Sequence, residues 1–229
     1  MLIPTMESAI QPDRYDIVFV LGPPGSGKGT VCKQAVKSLK RPPHHHLSVG
    51  DYLRELCDPL ASHDGNHIDE NRIRDYLRDN KLLPADVLIP ILKGKIDSMP
   101  NVDFTETTWL IDGFPRNMET ALAFEETIGK PLKVIVLECS RDIAKRRYLS
   151  RAREQMDDEG RFDKRYDDYI KNMEAIQEHY KSKGIMELVR TSPPRVFIAL
   201  LMMLQIPANE SKEECLREFM AALPVVSDD

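Results

Sequence analysis

Four glycines and a lysine within residues 22–29, GPPGSGKG, have the spacing of a loop that binds phosphate. A chain that wraps a phosphate must turn several backbone N–H groups inward, and side chains would block that approach. Lys28 would add a positive charge beside the β- and γ-phosphates of a nucleotide. An apolar run precedes the loop and a segment of helical composition follows it, so a helix N-terminus would assist binding. The alternative is a plain glycine- and proline-rich turn.

Two further segments combine an aspartate with an arginine. HLSVGDYLR (46–54) leads into a helical run, and DGFPR (112–116) follows the apolar run TTWLI. A guanidinium group can bind two oxygens of one phosphate at once, which an ammonium group cannot. An aspartate at the end of a strand can orient water on nucleotide-bound Mg²⁺. Taken singly, each segment could also be structural, as a helix N-cap or a plain turn.

Short apolar runs alternate with segments of helical composition along the chain. The expected strands are 16–21, 44–49, 107–111, 132–139 and 185–191. The expected helices are 29–40, 51–80 with a loop at 62–67, 84–96, 141–151, 163–181 and 194–205. This alternation predicts an α/β fold, a parallel sheet with helices on both faces. Ligands of such sheets bind beyond the carboxyl ends of the strands, which is where the motifs lie.

Composition excludes several classes of protein. The chain has 229 residues, a net charge of −5 and a pI of about 5.7, which argues against a general nucleic-acid coat or a binder of anionic membranes. Its longest apolar run, 196–204, is shorter than the roughly 18–20 residues of a membrane-spanning helix. The four cysteines form no CxxC pair, as expected of reduced thiols inside a cell. The N-terminal residues do not read as a targeting signal, so we expect a cytoplasmic protein.

Several segments, in this order, resemble the nucleoside monophosphate kinase family, which includes the adenylate kinases and the UMP/CMP kinases. They are VLGPPGSGKGT (20–30), HLSVGDYLR (46–54), KLLPADVLIPILK (81–93), WLIDGFPR (109–116) and RYLSRAR with a downstream arginine (147–165). The resemblance implies a P-loop NTPase-type three-layer fold with a five-stranded parallel sheet. It also implies a flexible leader (1–15), a kinase domain (16–206) and a tail (207–229). Within the domain it implies an NMP-binding insertion at about 48–82 and a short LID at about 152–164.

The activity implied by the resemblance is reversible transfer of the γ-phosphoryl group of ATP to AMP, UMP or CMP. The acceptor phosphate is itself the nucleophile, so the protein would align the reactants, stabilise charge and exclude water. The catalytic residues implied are Lys28, Arg116, Arg151 and Arg165. The ATP-binding residues implied are Gly25, Ser26, Gly27, Lys28, Gly29, Thr30 and Arg151. The alternative is a kinase-like nucleotide binder with weakened catalysis, suggested by an altered LID.

The sequence does not decide which base the acceptor site prefers. The NMP-binding residues implied are Val49, Arg54, Leu83, Gly113, Arg116, Thr120 and Arg165. Adenylate kinases usually have Thr and Gln at the positions of Val49 and Thr120, and UMP/CMP kinases usually have Ala and Asn. This chain matches neither pair. The hydroxyl missing at Val49 and the presence of Asn117, common among the UMP/CMP members, favour a pyrimidine or mixed acceptor.

The LID can be aligned to the family in two registers. In the first, Asp157 and Asp158 form the usual aspartate pair, Phe162 is the usual apolar residue before Arg165, and Gln155 stands in place of an arginine. In the second, the match begins at Gly160–Arg161 and Lys164 replaces the second aspartate. The first keeps more of the pattern. Either Arg153 or Arg161 could then supply the missing arginine.

The resemblance also implies the cofactor and the partners. Mg²⁺ would arrive with ATP and be held through water by Asp51 and Asp112, without a direct protein ligand. No zinc is expected, because the LID is too short for a four-cysteine site. The histidines at 44–46 would alternate faces on a strand and do not read as metal ligands. The expected partners are ATP and a nucleoside monophosphate, with no nucleic acid or membrane, and the chain is expected to be a monomer.

Overall fold

The five predicted strands form one parallel sheet in the order β2-β3-β1-β4-β5. The computed structural model describes residues 15–39, 43–58, 69–98, 107–151, 158–190 and 210–224. The strands are β1 (Tyr15–Leu21), β2 (His44–Ser48), β3 (Thr107–Asp112), β4 (Lys133–Glu138) and β5 (Met186–Arg190). The helices are α1 (Lys28–Ser38), α2 (Val49–Glu55), α3 (Glu70–Arg78), α4 (Ala85–Asp97), α5 (Met118–Thr127), α6 (Arg141–Arg151), α7 (Glu159–Ser182) and α8 (Glu210–Ala222). The predicted α/β fold is confirmed.

Strand β1 lies at the centre of the sheet and is apolar on both faces. Ile17, Phe19 and Leu21 pack into one cluster with side chains of α2, α3, α4, α5 and α7. Val18 and Val20 pack into the opposite cluster with side chains of α1 and α8. Successive side chains of a strand point to opposite faces, so a strand that is covered on both sides is apolar throughout. This explains why the run 16–21 shows no polar alternation.

Aromatic packing on β1 fixes the turn that follows β3. The Phe19 ring meets the Phe114 ring edge-on at 5.3 Å and the Phe124 ring at 5.1 Å between centroids. Phe114 belongs to the DGFPR turn and is only 1% exposed. A cis peptide bond joins it to Pro115. The core therefore holds the turn between Asp112 and Arg116 in place, since its middle residue is buried beneath it.

Helix α8 lies in the segment that was expected to be a polar tail with one candidate short helix at 212–223. Cys215, Phe219, Ala222 and Leu223 are buried against α1 and β5. They recur every three or four residues, which places them on one face of a helix while charged residues occupy the other. The described part of 207–229 is thus part of the core rather than a tail beside it. The expected leader, apart from Tyr15, and the expected helix at 194–205 lie outside the described residues.

Two helices differ from their expected bounds. Helix α7 begins at Glu159 rather than 163 because Asp158 caps it, its Oδ1 accepting the N–H of Arg161 at 2.7 Å. Helix α5 was not among the expected helices. It begins after Asn117, whose Oδ1 accepts the N–H of Thr120 at 2.9 Å. Both starts are marked by an Asx cap in the sequence, and the hydrophobic pattern alone does not show them.

No helix within the described ranges is long and apolar enough to cross a membrane.

Replacing Phe219 by alanine should lower the free energy of unfolding by about 3–5 kcal/mol, because it removes a fully buried ring between α8 and α1. Urea denaturation followed by circular dichroism would measure the change. Leu122→Ala is the control, because Leu122 is 50% exposed and should change stability by less than about 0.5 kcal/mol. Equal midpoints for Phe219→Ala and the unaltered protein would contradict the packing of α8.

Candidate active site

A pocket of about 620 Å³ opens at the carboxyl ends of β1, β2 and β3. Its walls come from the 22–31 loop and α1, the start of α2, the turn between α3 and α4, the DGFPR turn, and α6 and α7. This is where a parallel sheet is expected to bind its ligand. The pocket therefore joins segments that are far apart in the sequence but that were each singled out by their motifs.

Two glycines of the loop are required by its geometry. Gly25 has φ +81°, and a Cβ there would lie 2.1 Å from the carbonyl oxygen of Ala144 in α6. Gly27 has φ +96° and forms the N-cap of α1 without a capping side chain. Both conformations favour glycine. The loop can therefore lie tightly against α6 while the uncapped N-terminus of α1 forms part of the pocket wall, as an anion site needs.

The Lys28 side chain lies against the loop that precedes α1. Its Nζ donates to the carbonyl oxygens of Gly22 at 2.8 Å and Pro23 at 3.0 Å, and to the Ser26 hydroxyl at 3.3 Å. These neutral oxygens hold the ammonium group without neutralising its charge. The predicted ATP-binding residues Gly25, Ser26, Gly27, Lys28, Gly29 and Thr30 all line the pocket. A phosphate that displaces those carbonyl contacts would exchange neutral acceptors for charged ones.

Three arginines predicted for phosphate binding, Arg54, Arg116 and Arg165, line the same pocket. Guanidinium nitrogens of Arg54 and Arg116 both lie 3.6 Å from the point that a Cβ on Gly50 would occupy. Arg165 is close enough to Arg116 to affect its titration. Like charges converge only at a cost, which an anion between them removes. The arrangement therefore suits a multiply charged phosphate.

The surroundings lower the pKa of Arg116 to about 10, first through burial and then through the positive charge of Arg165. Its side chain is exposed to the pocket, yet protein atoms crowd around it. Asp112 opposes the shift, and the Arg116 Nε donates to the carbonyl oxygen of Gly113 at 3.0 Å. A pKa near 10 leaves Arg116 protonated at neutral pH, so its charge is available to an anion.

The two aspartates predicted to act on Mg²⁺ are placed differently. Asp112 is 6% exposed, ends β3 and lines the pocket beside the phosphate loop. Asp51 is paired with Arg54, one turn along α2, and does not line the pocket. Asp112 thus lies in the pocket, whereas Asp51 pairs with Arg54 and is not part of the pocket lining. His46, which was expected to be structural, lies with its Nε2 3.4 Å from Oδ2 of Asp112, a contact that the sequence did not predict.

The acceptor side of the pocket is mostly apolar. Val49 is 4% exposed and Leu83 is 4% exposed, and both line it. The Thr120 hydroxyl is already engaged by Asn117, to which it donates at 2.7 Å. Neither of the two positions that distinguish the family members therefore offers an unengaged hydroxyl to a base.

The start of α7 lies beside the predicted LID. Phe162 is fully buried against Tyr148, with 5.4 Å between ring centroids, which fits the first of the two registers. Arg161 donates to the carbonyl oxygen of Leu77 at 3.1 Å, and its side chain does not line the pocket. Residues 152–157, including Arg153 and Gln155, lie outside the described residues. So does the side chain of Arg151, although its backbone ends α6.

The pocket also contains residues that the motifs did not indicate. These are Leu77, Asn80, Asp168, Tyr169 and Met173, whereas Ser48 and Arg147, which also line the pocket, lie in the segments 46–54 and 147–165. Most come from α3 and α7, whose pocket-facing positions follow only from tertiary packing. Among the described residues, no cluster of three or more His, Cys, Asp and Glu side chains could hold a metal ion. Cys32 is buried beside the loop, and burial raises the pKa of its thiol well above the usual value.

Comparison with known proteins agrees with this geometry. The adenylate kinase family model matches residues 20–185. Uridylate kinase of Saccharomyces cerevisiae is 31% identical over 81% of this chain and 88% of its own length. UMP-CMP kinase 3 of Oryza sativa subsp. japonica is 33% identical over 82% of this chain and 84% of its own length. For the UMP-CMP kinase of Danio rerio the values are 32%, 77% and 89%.

A phosphate loop, converging arginines and a family match that spans all the motifs lead to one conclusion: the chain belongs to the adenylate kinase family and is a nucleoside monophosphate kinase.

Proposed function

We propose that this kinase transfers the γ-phosphoryl group of MgATP to a pyrimidine nucleoside monophosphate, UMP or CMP. The observation that supports the base preference is the apolar acceptor wall, where Val49 has no hydroxyl and that of Thr120 is engaged by Asn117. A site built around a hydrogen bond to its base rejects other bases strongly, and this pocket lacks at Val49 the hydroxyl that an adenine-selective site would use. The names of the relatives, uridylate kinase and UMP-CMP kinase, point the same way.

Arg54 and Arg116 would hold the phosphate of the acceptor, and Gly50 and Gly113 leave room for it. A Cβ on either glycine would lie within 3.6 Å of an arginine nitrogen, in the space between backbone and guanidinium. Two forks on one phosphate fix its orientation as well as its position. An oxygen of that phosphate then attacks the γ-phosphorus of ATP in line, and the bond to the β-phosphate oxygen breaks.

Lys28 and Arg165 would stabilise the phosphoryl group while it moves. The charge on its equatorial oxygens requires donors that are already in place. Lys28 comes from the ATP side of the pocket and Arg165 from the α7 side. We also propose that Arg151 joins them from the LID.

Mg²⁺ fits the site through Asp112. The carboxylate lines the same pocket as Lys28 and Thr30, and Mg²⁺ prefers carboxylate and water oxygens. Bound with ATP, the ion draws negative charge from the β- and γ-phosphates. Asp112 would orient water on it. Asp51 would contribute only if it separated from Arg54. A monomer in the cytoplasm remains our expectation for the assembly and location.

An acceptor panel tests the base preference. With MgATP and, separately, UMP, CMP, AMP and GMP, we expect diphosphate formation from UMP or CMP with kcat/KM at least about tenfold above that for AMP. A coupled assay for ADP would measure it. Val49→Thr, which adds one hydroxyl at nearly constant volume, should narrow the difference. A preference for AMP in the unaltered protein would overturn the proposal.

Lys28→Ala should lower kcat by at least about a hundredfold, because it removes a charge beside the transferred group. A melting temperature close to that of the unaltered protein would show that the variant remains folded. Lys33→Ala is the matched control on the exposed face of α1 and should turn over normally. Wild-type turnover by Lys28→Ala would rule out its catalytic role.

Arg116→Lys should raise the KM for the acceptor about tenfold or more while the KM for ATP stays nearly constant. The variant keeps the charge and loses the fork that binds two phosphate oxygens. Initial rates with each substrate varied in turn would separate the two constants. Arg72→Lys, at an exposed position of α3, provides the comparison. Equal changes in both KM values would contradict an acceptor-side role for Arg116.

A further inference from the structure

Asn80 adopts a backbone conformation that few side chains tolerate. Its φ is +52°, and among the described residues it alone combines a positive φ with a side chain. Asparagine is one of the residue types that enters this left-handed region, although glycine does so at lower cost. The residue lies in the turn between α3 and α4 and lines the pocket. The backbone conformation at residue 80 would favour glycine, yet this chain has an asparagine there.

The Asn80 side chain binds the arginine proposed to act on the transferred group. Its Oδ1 accepts from Nε of Arg165 at 2.6 Å. The orientation of the amide is assigned by this contact, because a guanidinium N–H can only donate. On its other side, Nη1 of Arg165 donates to the Tyr148 hydroxyl at 3.2 Å. Arg165 is thus held between two neutral oxygens from two separate elements.

The amide nitrogen of Asn80 is left without a hydrogen bond to any described residue by this arrangement. This atom, Nδ2, is buried and has no hydrogen-bond partner among the described residues. A buried donor without a partner costs free energy, so its presence calls for an explanation. The explanation that the contacts offer is the position of Oδ1 beside Arg165.

Electrostatics explains why Arg165 needs such a partner. It lies near the positive charge of Arg116, and repulsion between the two guanidinium groups would favour positions of Arg165 that point away from Arg116. The amide oxygen of Asn80 is neutral, so this contact holds Arg165 without cancelling its charge.

We propose that Asn80 is a positioning residue that holds Arg165 ready for phosphoryl transfer. The position of the α3–α4 turn then sets the position of Arg165. The proposal rests on the role given to Arg165 under the proposed function. Two other hydrogen bonds join α7 to the C-terminal end of α3 and the turn that follows it. Arg161 donates to the Leu77 carbonyl at 3.1 Å, and Lys164 donates to the Asp79 carbonyl at 3.2 Å. They provide matched controls, because they join the same elements without touching Arg165.

Asn80→Gly is the direct test, because glycine accepts φ +52° and only the amide is removed. We expect kcat to fall about tenfold, as for loss of a hydrogen bond to a charged group, with the KM for ATP changed less than about twofold. Lys164→Ala should keep kcat within about twofold of the unaltered protein. If both variants lose kcat equally, the junction itself matters and the positioning role is wrong.

A double mutant separates positioning from general stability. If Asn80 acts through Arg165, Asn80→Gly should lower kcat no further in an Arg165→Ala background, since alanine has no side-chain donor for the amide oxygen. Independent, multiplicative losses would overturn the proposal, as would an unchanged kcat for Asn80→Gly alone. Unchanged kcat for Arg165→Lys and for Arg165→Ala would instead overturn the proposed role of Arg165. Melting temperatures of all variants would show whether each remains folded.

Discussion

Repulsion among the guanidinium groups of Arg54, Arg116 and Arg165 is the constraint that the rest of the site must satisfy. Each group is held from its own part of the chain: Arg54 by Asp51, Arg116 by the Gly113 carbonyl, and Arg165 by Asn80 and Tyr148. None of these contacts requires a bound ligand. The fold thus keeps three guanidinium groups together before a substrate arrives, and on the proposed function a bound phosphate would relieve part of their repulsion.

The sheet makes this arrangement possible because it brings the ends of separate strands to one edge. β1 leads into the phosphate loop, β2 into α2 with Arg54, and β3 into the turn with Asp112 and Arg116. Buried side chains fix each connection, and Phe114 beneath the turn is the clearest example. The chemistry is therefore positioned by residues that never touch a phosphate.

The sequence was sufficient for the parts of the site that depend on local spacing. Apolar runs located the strands, the spacing of the glycine-rich loop indicated Lys28, and the resemblance carried by DGFPR indicated Arg116. Asn80 could not be named in this way, because its partner Arg165 is 85 residues away and the contact follows from tertiary packing alone.

The packing of helix α8 onto the core was not predicted, for a related reason. Its buried face consists of small or isolated side chains, Cys215, Phe219 and Ala222, within a largely charged segment. Nothing in that pattern tells which surface the face would cover.

The pairing of Asp51 with Arg54 was not predicted either. The sequence offers the Asp51 carboxylate two partners, a metal-bound water and the guanidinium group of Arg54 on the next helical turn, and does not choose between them.

The position of α8 also has a consequence for biosynthesis. The buried side of α1, Val31, Cys32 and Ala35, packs into one cluster with side chains of the sheet and with Phe219 and its neighbours in α8. On the ribosome, the five strands can emerge and pair before α8 has been made, so the part of this cluster that α8 covers is still exposed to water. The buried face of α1, the helix that follows the phosphate loop, is therefore fully covered only after α8 has been synthesised. An incomplete translation product would therefore present an apolar patch to chaperones and proteases, at the very element on which catalysis depends.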